Sequence, residues 1–200
     1  MKNRNCECDC GFFLLKNIRN LEFKRKHMNF DNYKVIPNYN TNKTDLFLAE
    51  NEEIIACEKT LNIIFDEDYK EYVSTFGSGI LGGTYVRIYL PETIILTAAE
   101  WKKRITEYWF WDQGKDILTK EEVLNAVRIG DTYDADEIIF YKNEYFVLPG
   151  NSEMIYKMGS TLGETITWLC SSGVLTEAFS EREFEPFDPN DWIKDNSVEE

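Results

Sequence analysis

The sequence predicts a single α+β domain, and three observations carry that expectation. The chain has 200 residues, 43% hydrophobic and 14% aromatic, which is enough for a real core and too apolar for a disordered chain. Amphipathic helical patterns, several opened by capping signals, recur from residue 50 to residue 173. Between the last two of them, consecutive apolar stretches punctuated by tight turns read as sheet. The expected layout is an N-terminal extension over residues 1–45, partly ordered, a domain over 46–176 and an acidic tail over 177–200.

The helices come first. Ile54, Ile55, Glu58 and Leu61 suit a short helix with one apolar side. Asp66 is placed to cap a second, in which Tyr69, Tyr72, Val73 and Phe76 recur at i, i+3, i+4 and i+7, and Gly77 can supply the left-handed residue that ends it. Three T-x-x-E sequences then read as capping boxes: Thr97 with Glu100, Thr119 with Glu122, and Thr161 with Glu164. The first is expected to carry Ala98, Trp101, Ile105 and Tyr108 on one face. The second carries Val123 and Val127 and ends near Gly130. The third carries Leu162, Ile166 and Leu169 and ends near Gly173.

Strands fill the gaps. Residues 78–84 contain Gly79, Gly82 and Gly83 but lack a G-K-[ST] ending and follow a helix, so they read as a tight turn rather than a phosphate loop. Residues 85–90 alternate strictly. Val86, Ile88 and Leu90 take one face, and Tyr85, Arg87 and Tyr89 are expected to point outward. Residues 137–141 and 144–148 flank Lys142-Asn143 as a hairpin, and residues 153–158 read as a further strand.

Charge narrows the partners. Of a formal net charge of −14, residues 1–30 contribute +4 (seven basic against three acidic side chains), leaving −18 on residues 31–200. Such a body is wrong for phosphate contacts, so nucleic acid is excluded, whereas a basic protein is a natural partner. The tail from Glu177 carries nine acids against two bases, together with Phe179, Phe184, Phe187 and Trp192. So many aromatics suit packing back on the domain or a bait for a partner. No apolar run approaches the roughly 20 residues of a membrane span, and Glu7 and Asp9 break the pattern of a signal peptide. A cytoplasmic protein, monomer or weak dimer, is expected.

Chemistry is sparse. The only histidine is His27, in the basic N-terminal segment, so no Ser-His-Asp or Cys-His arrangement can be built in the acidic body. Cys57 and Cys170 fall within helical patterns as reduced core residues. Cys6, Cys8 and Cys10 form C-x-C-x-C, which could hold a metal with a neighbouring acid. The usual C-x-x-C spacing and a second ligand pair are missing, and a plain terminus is the simpler reading. Asp134 and Asp136 suit a turn with solvated charges better than an acid pair. No enzyme and no cofactor are expected.

Residues 54–79 run I-I-A-C-E-K-T-L-N-I-I-F-D-E-D-Y-K-E-Y-V-S-T-F-G-S-G. This resembles the opening of the SUKH superfamily, with Glu58, Asp68, Tyr69, Lys70, Gly77 and Gly79 matching; Asp66 stands where that family usually has Pro. Residues 129–131 and 136–140 resemble its Gly/Asp-rich turn before the central hairpin, and residues 160–169 its closing helix. The resemblance covers roughly residues 50–172. It implies a mixed, mostly antiparallel sheet flanked by helices, and no catalytic residues. It also implies a role: bacterial members are mostly immunity proteins that bind and neutralise a cognate polymorphic toxin, often a nuclease or a nucleic-acid deaminase, while fungal members act in cell-wall regulation. The alternative is a non-catalytic intracellular scaffold or regulator of the same fold. Candidate contact residues are Tyr85, Arg87 and Tyr89, the aromatic crowd around Tyr108, Trp109, Phe110, Trp111 and Asp112, and the acids Asp131, Asp134 and Asp136.

Overall fold

The computed structural model describes residues 33–82, 85–108, 110–180 and 182–190. Their elements are β1 (Lys34–Val35), α1 (Asn51–Leu61), α2 (Glu67–Thr75), β2 (Gly79–Leu81), β3 (Val86–Ile88), α3 (Pro91–Glu107), a 3-10 turn (Asp112–Gly114), α4 (Lys120–Leu124), β4 (Val127–Thr132), β5 (Glu137–Tyr141), β6 (Glu144–Leu148), β7 (Tyr156–Gly159), α5 (Leu162–Ser171) and β8 (Glu183–Pro186). The strands form one eight-stranded sheet in the order β1-β8-β2-β3-β4-β5-β6-β7. Pairing is antiparallel except for β1 with β8. This is the α+β architecture, with a mixed and mostly antiparallel sheet, that the sequence leads one to expect.

Alternation along the strands divides the core between the two faces. Val86, Ile88, Ile138, Phe140, Tyr145 and Val147 pack with Ile54 and Cys57 of α1, Tyr69, Tyr72 and Val73 of α2, and Leu162, Ile166 and Leu169 of α5. On the opposite face Ile139, Phe146 and Leu148 pack with Trp101 and Ile105 of α3 and Val123 of α4. Arg87, Asp131 and Glu137 are neighbours across β3, β4 and β5. They share the second face with Ile139, two residues along β5 from Glu137.

Several local expectations hold. Asp66 caps α2, accepting from the N–H groups of Asp68 and Tyr69, and Gly77 follows at φ +74. A Cβ on Gly77 would sit 2.0 Å from the Phe47 carbonyl oxygen, so close approach and positive φ both demand glycine here. Thr119 and Glu122 form a reciprocal capping box. Thr161 caps α5, although Glu164 reaches back to the N–H of Ser160 rather than to that of Thr161. Lys142 and Asn143 turn the β5–β6 hairpin at φ +49 and +62, as a two-residue turn with both φ positive requires.

Other expectations are corrected. The first T-x-x-E is not a helix start: α3 opens six residues earlier, at Pro91, because proline at the first position supplies helical φ and no orphan N–H. Thr97 is interior and its hydroxyl donates to the Thr93 carbonyl. Tyr108 falls at the end of that helix and is exposed. The Thr119 helix stops at Leu124, and Val127 and Gly130 belong to β4. The strand expected over residues 153–158 begins only at Tyr156. Part of the glycine-rich stretch after Gly77 is strand, β2 over Gly79–Leu81, and Gly82 turns after it at φ +71, while residues 83–84 lie outside the described residues. Gly79 in β2 lets β8 approach, since a Cβ there would lie 2.3 Å from the Phe184 ring.

The two ends join the sheet. Residues 34–35 and 183–186 are strands of the sheet, with β8 lodged between β1 and β2. Phe184 is fully buried, 5.3 Å from the Phe76 ring and 6.2 Å from that of Tyr72. The domain therefore draws on residues placed in the extension and in the tail. Within the tail, Phe184 goes to the core and Phe179 packs edge-on to Tyr85, while Trp192 lies outside the described residues.

Candidate functional site

The second face of the sheet is covered by α3 and α4 over β5, β6 and part of β4. Toward β3, β2 and β8 it carries polar groups and a cleft. Arg87 of β3 donates from Nε to Asp131 Oδ1 at 2.8 Å and from Nη2 to Oδ2 at 2.5 Å, a bidentate pair between adjacent strands. The Tyr89 hydroxyl donates to the same Oδ2 at 2.6 Å. Arg128 of β4 stacks on the Tyr89 ring, 5.2 Å from its centre, and reaches Glu137 at 3.6 Å. Glu137 also accepts from Trp101 Nε1 at 2.9 Å and from Arg104.

This ladder of three guanidiniums and two carboxylates is half-buried: Arg87 is matched by Asp131, while Arg104 and Arg128 share Glu137, so the ladder keeps one net positive charge. Burial lowers the Arg87 pKa, but the paired Asp131 carboxylate more than offsets it, so the net shift is upward. Burial and then the Asp131 charge push the Tyr89 phenol up as well. Both groups keep their ordinary protonation throughout the physiological range.

Beside the ladder lies a cleft of about 480 Å³. Ile80 and Arg87 form its floor, Thr93 of α3 one side, and residues 38–47 and 186–189 the other walls. Asn38 holds those walls together. Its buried amide donates to the Pro186 carbonyl at 3.0 Å, and its Oδ1 accepts from the N–H groups of Asn40 and Thr41. The Tyr39 N–H donates to the Glu185 carboxylate at 2.6 Å, and the Phe187 N–H to the Ser78 carbonyl at 3.1 Å. The cleft is built before anything enters it.

At the far end of β4 is a braced acidic turn. Tyr133 is 83% exposed and its N–H donates to the Tyr85 carbonyl at 2.9 Å. Ala135 sits at φ +64, unusual for a residue with a side chain. Asp136 holds that conformation: it accepts from the Thr132 hydroxyl at 2.6 Å and from the Gly150 N–H at 2.9 Å. Burial raises its pKa, those two bonds work against the rise, and Asp134 adds to it.

Of the residues singled out from sequence, Arg87, Tyr89 and Asp131 meet in one cluster, and Tyr85, Asp134 and Asp136 gather around the turn. Their exposure differs from what alternation suggested. Tyr85 and Tyr89 are buried rather than outward, because Phe179 and Arg128 cover them. Trp111 is buried with its Nε1 donating to the Pro149 carbonyl at 2.8 Å, and Asp136 is buried as a brace; Asp112 and Asp134 are exposed. Trp109, His27, Cys6, Cys8 and Cys10 lie outside the described residues.

Sequence reading missed the cleft. Its walls meet through contacts nearly 150 positions apart, such as Asn38 with Pro186, separated by 148. The Asn38-Tyr39-Asn40-Thr41-Asn42 stretch did carry one signal, the side-chain-to-backbone turn that asparagine favours. Cys57 and Cys170 are free and buried, and burial pushes the Cys57 thiol up to about 11, so it is not a nucleophile at neutral pH. Among the described residues no group of three or more His, Cys, Asp or Glu is arranged to hold a metal, and no helix is long and apolar enough to cross a membrane. No family model matches the chain, and no curated protein matches it.

Proposed function

We propose that the protein is an immunity protein that binds a cognate toxin domain of a polymorphic toxin system and neutralises it through an acidic surface. The observation that carries this is charge: −18 on residues 31–200, with Asp45, Asp112, Asp116 and Asp134 exposed. A toxin that acts on nucleic acid must present a basic cleft to phosphate, and an acidic protein of this size can occupy or cover it. The SUKH-like order of motifs supports the same class of partner.

The buried carboxylates support a binding role over a catalytic one. Asp68 accepts from the Gly163 N–H, Asp136 from Thr132 and Gly150, Glu137 from Trp101 and Arg104, and Glu185 from the Tyr39 N–H. Each is engaged by the protein's own donors. Tyr133 is a suitable anchor, an exposed aromatic on a turn whose backbone is already fixed, so little ordering cost remains on binding.

The test is growth rescue. The partner to try is the C-terminal domain of a large secreted protein encoded next to this one, expressed alone and with this chain. The expected result is growth arrest relieved by co-expression, with direct binding that weakens as salt rises. Tyr133→Ala should weaken that binding by roughly tenfold. Absence of any such neighbour, together with co-purification of several host proteins, would replace the immunity reading with an intracellular scaffold of the same fold.

A further inference from the structure

We infer that the cleft between residues 38–47, residues 186–189 and the β2–β3 face is a receptor for an arginine side chain presented by the partner protein. It deepens the immunity reading and rests on it for the source of the arginine. The cleft, at about 480 Å³, is large enough to enclose a long side chain and part of the loop that carries it. Its lining offers Phe47, Ile80, Leu90 and Phe187, apolar surface suited to an aliphatic stem and to the flat face of a guanidinium.

The charge balance selects the guest. Arg87 is neutralised by its bidentate bond to Asp131, so it does not set the sign of the cleft. Lys43, Asp45 and Asp188 remain among the lining residues, and none of the three is in an ion pair among the described residues. Two carboxylates against one exposed ammonium leave the lining acidic. Asp188 accepts from the Asn190 N–H and side-chain amide through Oδ1. That leaves its Oδ2 available to a cationic donor, and the flat apolar wall favours a planar guanidinium over an ammonium. A toxin arginine held there is withdrawn from phosphate, so binding at this cleft and neutralisation become one event.

The probe is N-acetyl-arginine amide, titrated into the full chain while the Ile80 methyl signals are followed by NMR. Saturable shifts are expected, weaker with N-acetyl-lysine amide and absent with N-acetyl-norleucine amide, which keeps the stem and drops the charge. Asp188→Asn and Asp45→Asn should each weaken arginine binding by up to about tenfold, with an unchanged thermal midpoint showing that the variants are folded. Shifts that do not saturate, that are equal for the norleucine amide, or that survive both substitutions overturn the assignment. The two proposals fail separately. A chain that rescues growth yet gives no saturable arginine shift loses only the cleft; one that binds the probe yet rescues nothing loses only the immunity reading.

Discussion

Asp66 shows how much one side chain can organise. Besides capping α2, it accepts from the Leu162 N–H at 3.1 Å and from the Tyr145 hydroxyl, so one carboxylate ties α2 to α5 and to the sheet. Burial raises its pKa, which the Tyr145 and Leu162 bonds oppose. A raised carboxylate pKa means the folded state binds the proton more tightly than the unfolded chain. The cost of charging the group is therefore fully present above the folded pKa and fades as pH falls toward the unfolded value. Asp66→Asn keeps a capping oxygen and removes the charge. Urea midpoints at pH 4 and pH 7 should show the variant gaining on the natural protein as pH rises; a difference that is constant, or that moves the other way, would rule out this account. Asp66→Ala should cost about 2–4 kcal/mol, since it strands several donors at once. The cap itself was legible from Asp66 and the i, i+3, i+4 pattern behind it. The bonds from Tyr145 and Leu162 were not, because nothing local says which distant hydroxyl or helix end will arrive there.

At the scale of elements, legibility follows range. The β5–β6 hairpin and α2 could be read because their signals are local: a two-residue turn in one case, a cap and an apolar stripe in the other. β2, β3 and β8 are short strands whose existence depends on one another. Glu183-Phe-Glu-Pro looks like solvated tail until Phe184 meets Tyr72 and Phe76 and Glu185 meets the Tyr39 N–H. Tyr85 and Tyr89 were misplaced for a related reason: alternation gives a side chain's face but not what covers it. Phe184→Ala should lower unfolding free energy by about 3–5 kcal/mol in denaturant titrations. Ending the chain after residue 182 should do more, because β1 would lose its only strand partner among the described residues. A truncated chain with an unchanged thermal midpoint would show that β8 is dispensable, contrary to this view.

At the scale of the whole molecule, field and shape act together. On the proposed function, the −18 carried by residues 31–200 would speed encounter with a basic toxin, while the cleft and the Tyr133 turn would set how long the complex lasts. These contributions separate in kinetics. Raising salt from 50 to 500 mM should cut the association rate constant by roughly tenfold or more while changing dissociation much less. Tyr133→Ala should do the reverse. Equal salt sensitivity in both rate constants would mean that the acidic body acts in the bound complex rather than in steering. Composition alone made the sign of this field legible, but it could not show where concave surface would form.

The position of β8 sets a schedule for synthesis. Asn38 must wait for Pro186, 148 positions downstream, before the cleft has two walls. Ribosomes add on the order of 5–20 residues per second, so the early part of the chain spends roughly ten seconds or more without its closing strand. Until that strand emerges, the hydrophobic groove over Tyr72 and Phe76 stands open to chaperones and to other nascent chains. A cell relying on this protein as an antidote would be protected only by completed molecules, never by ones still being made.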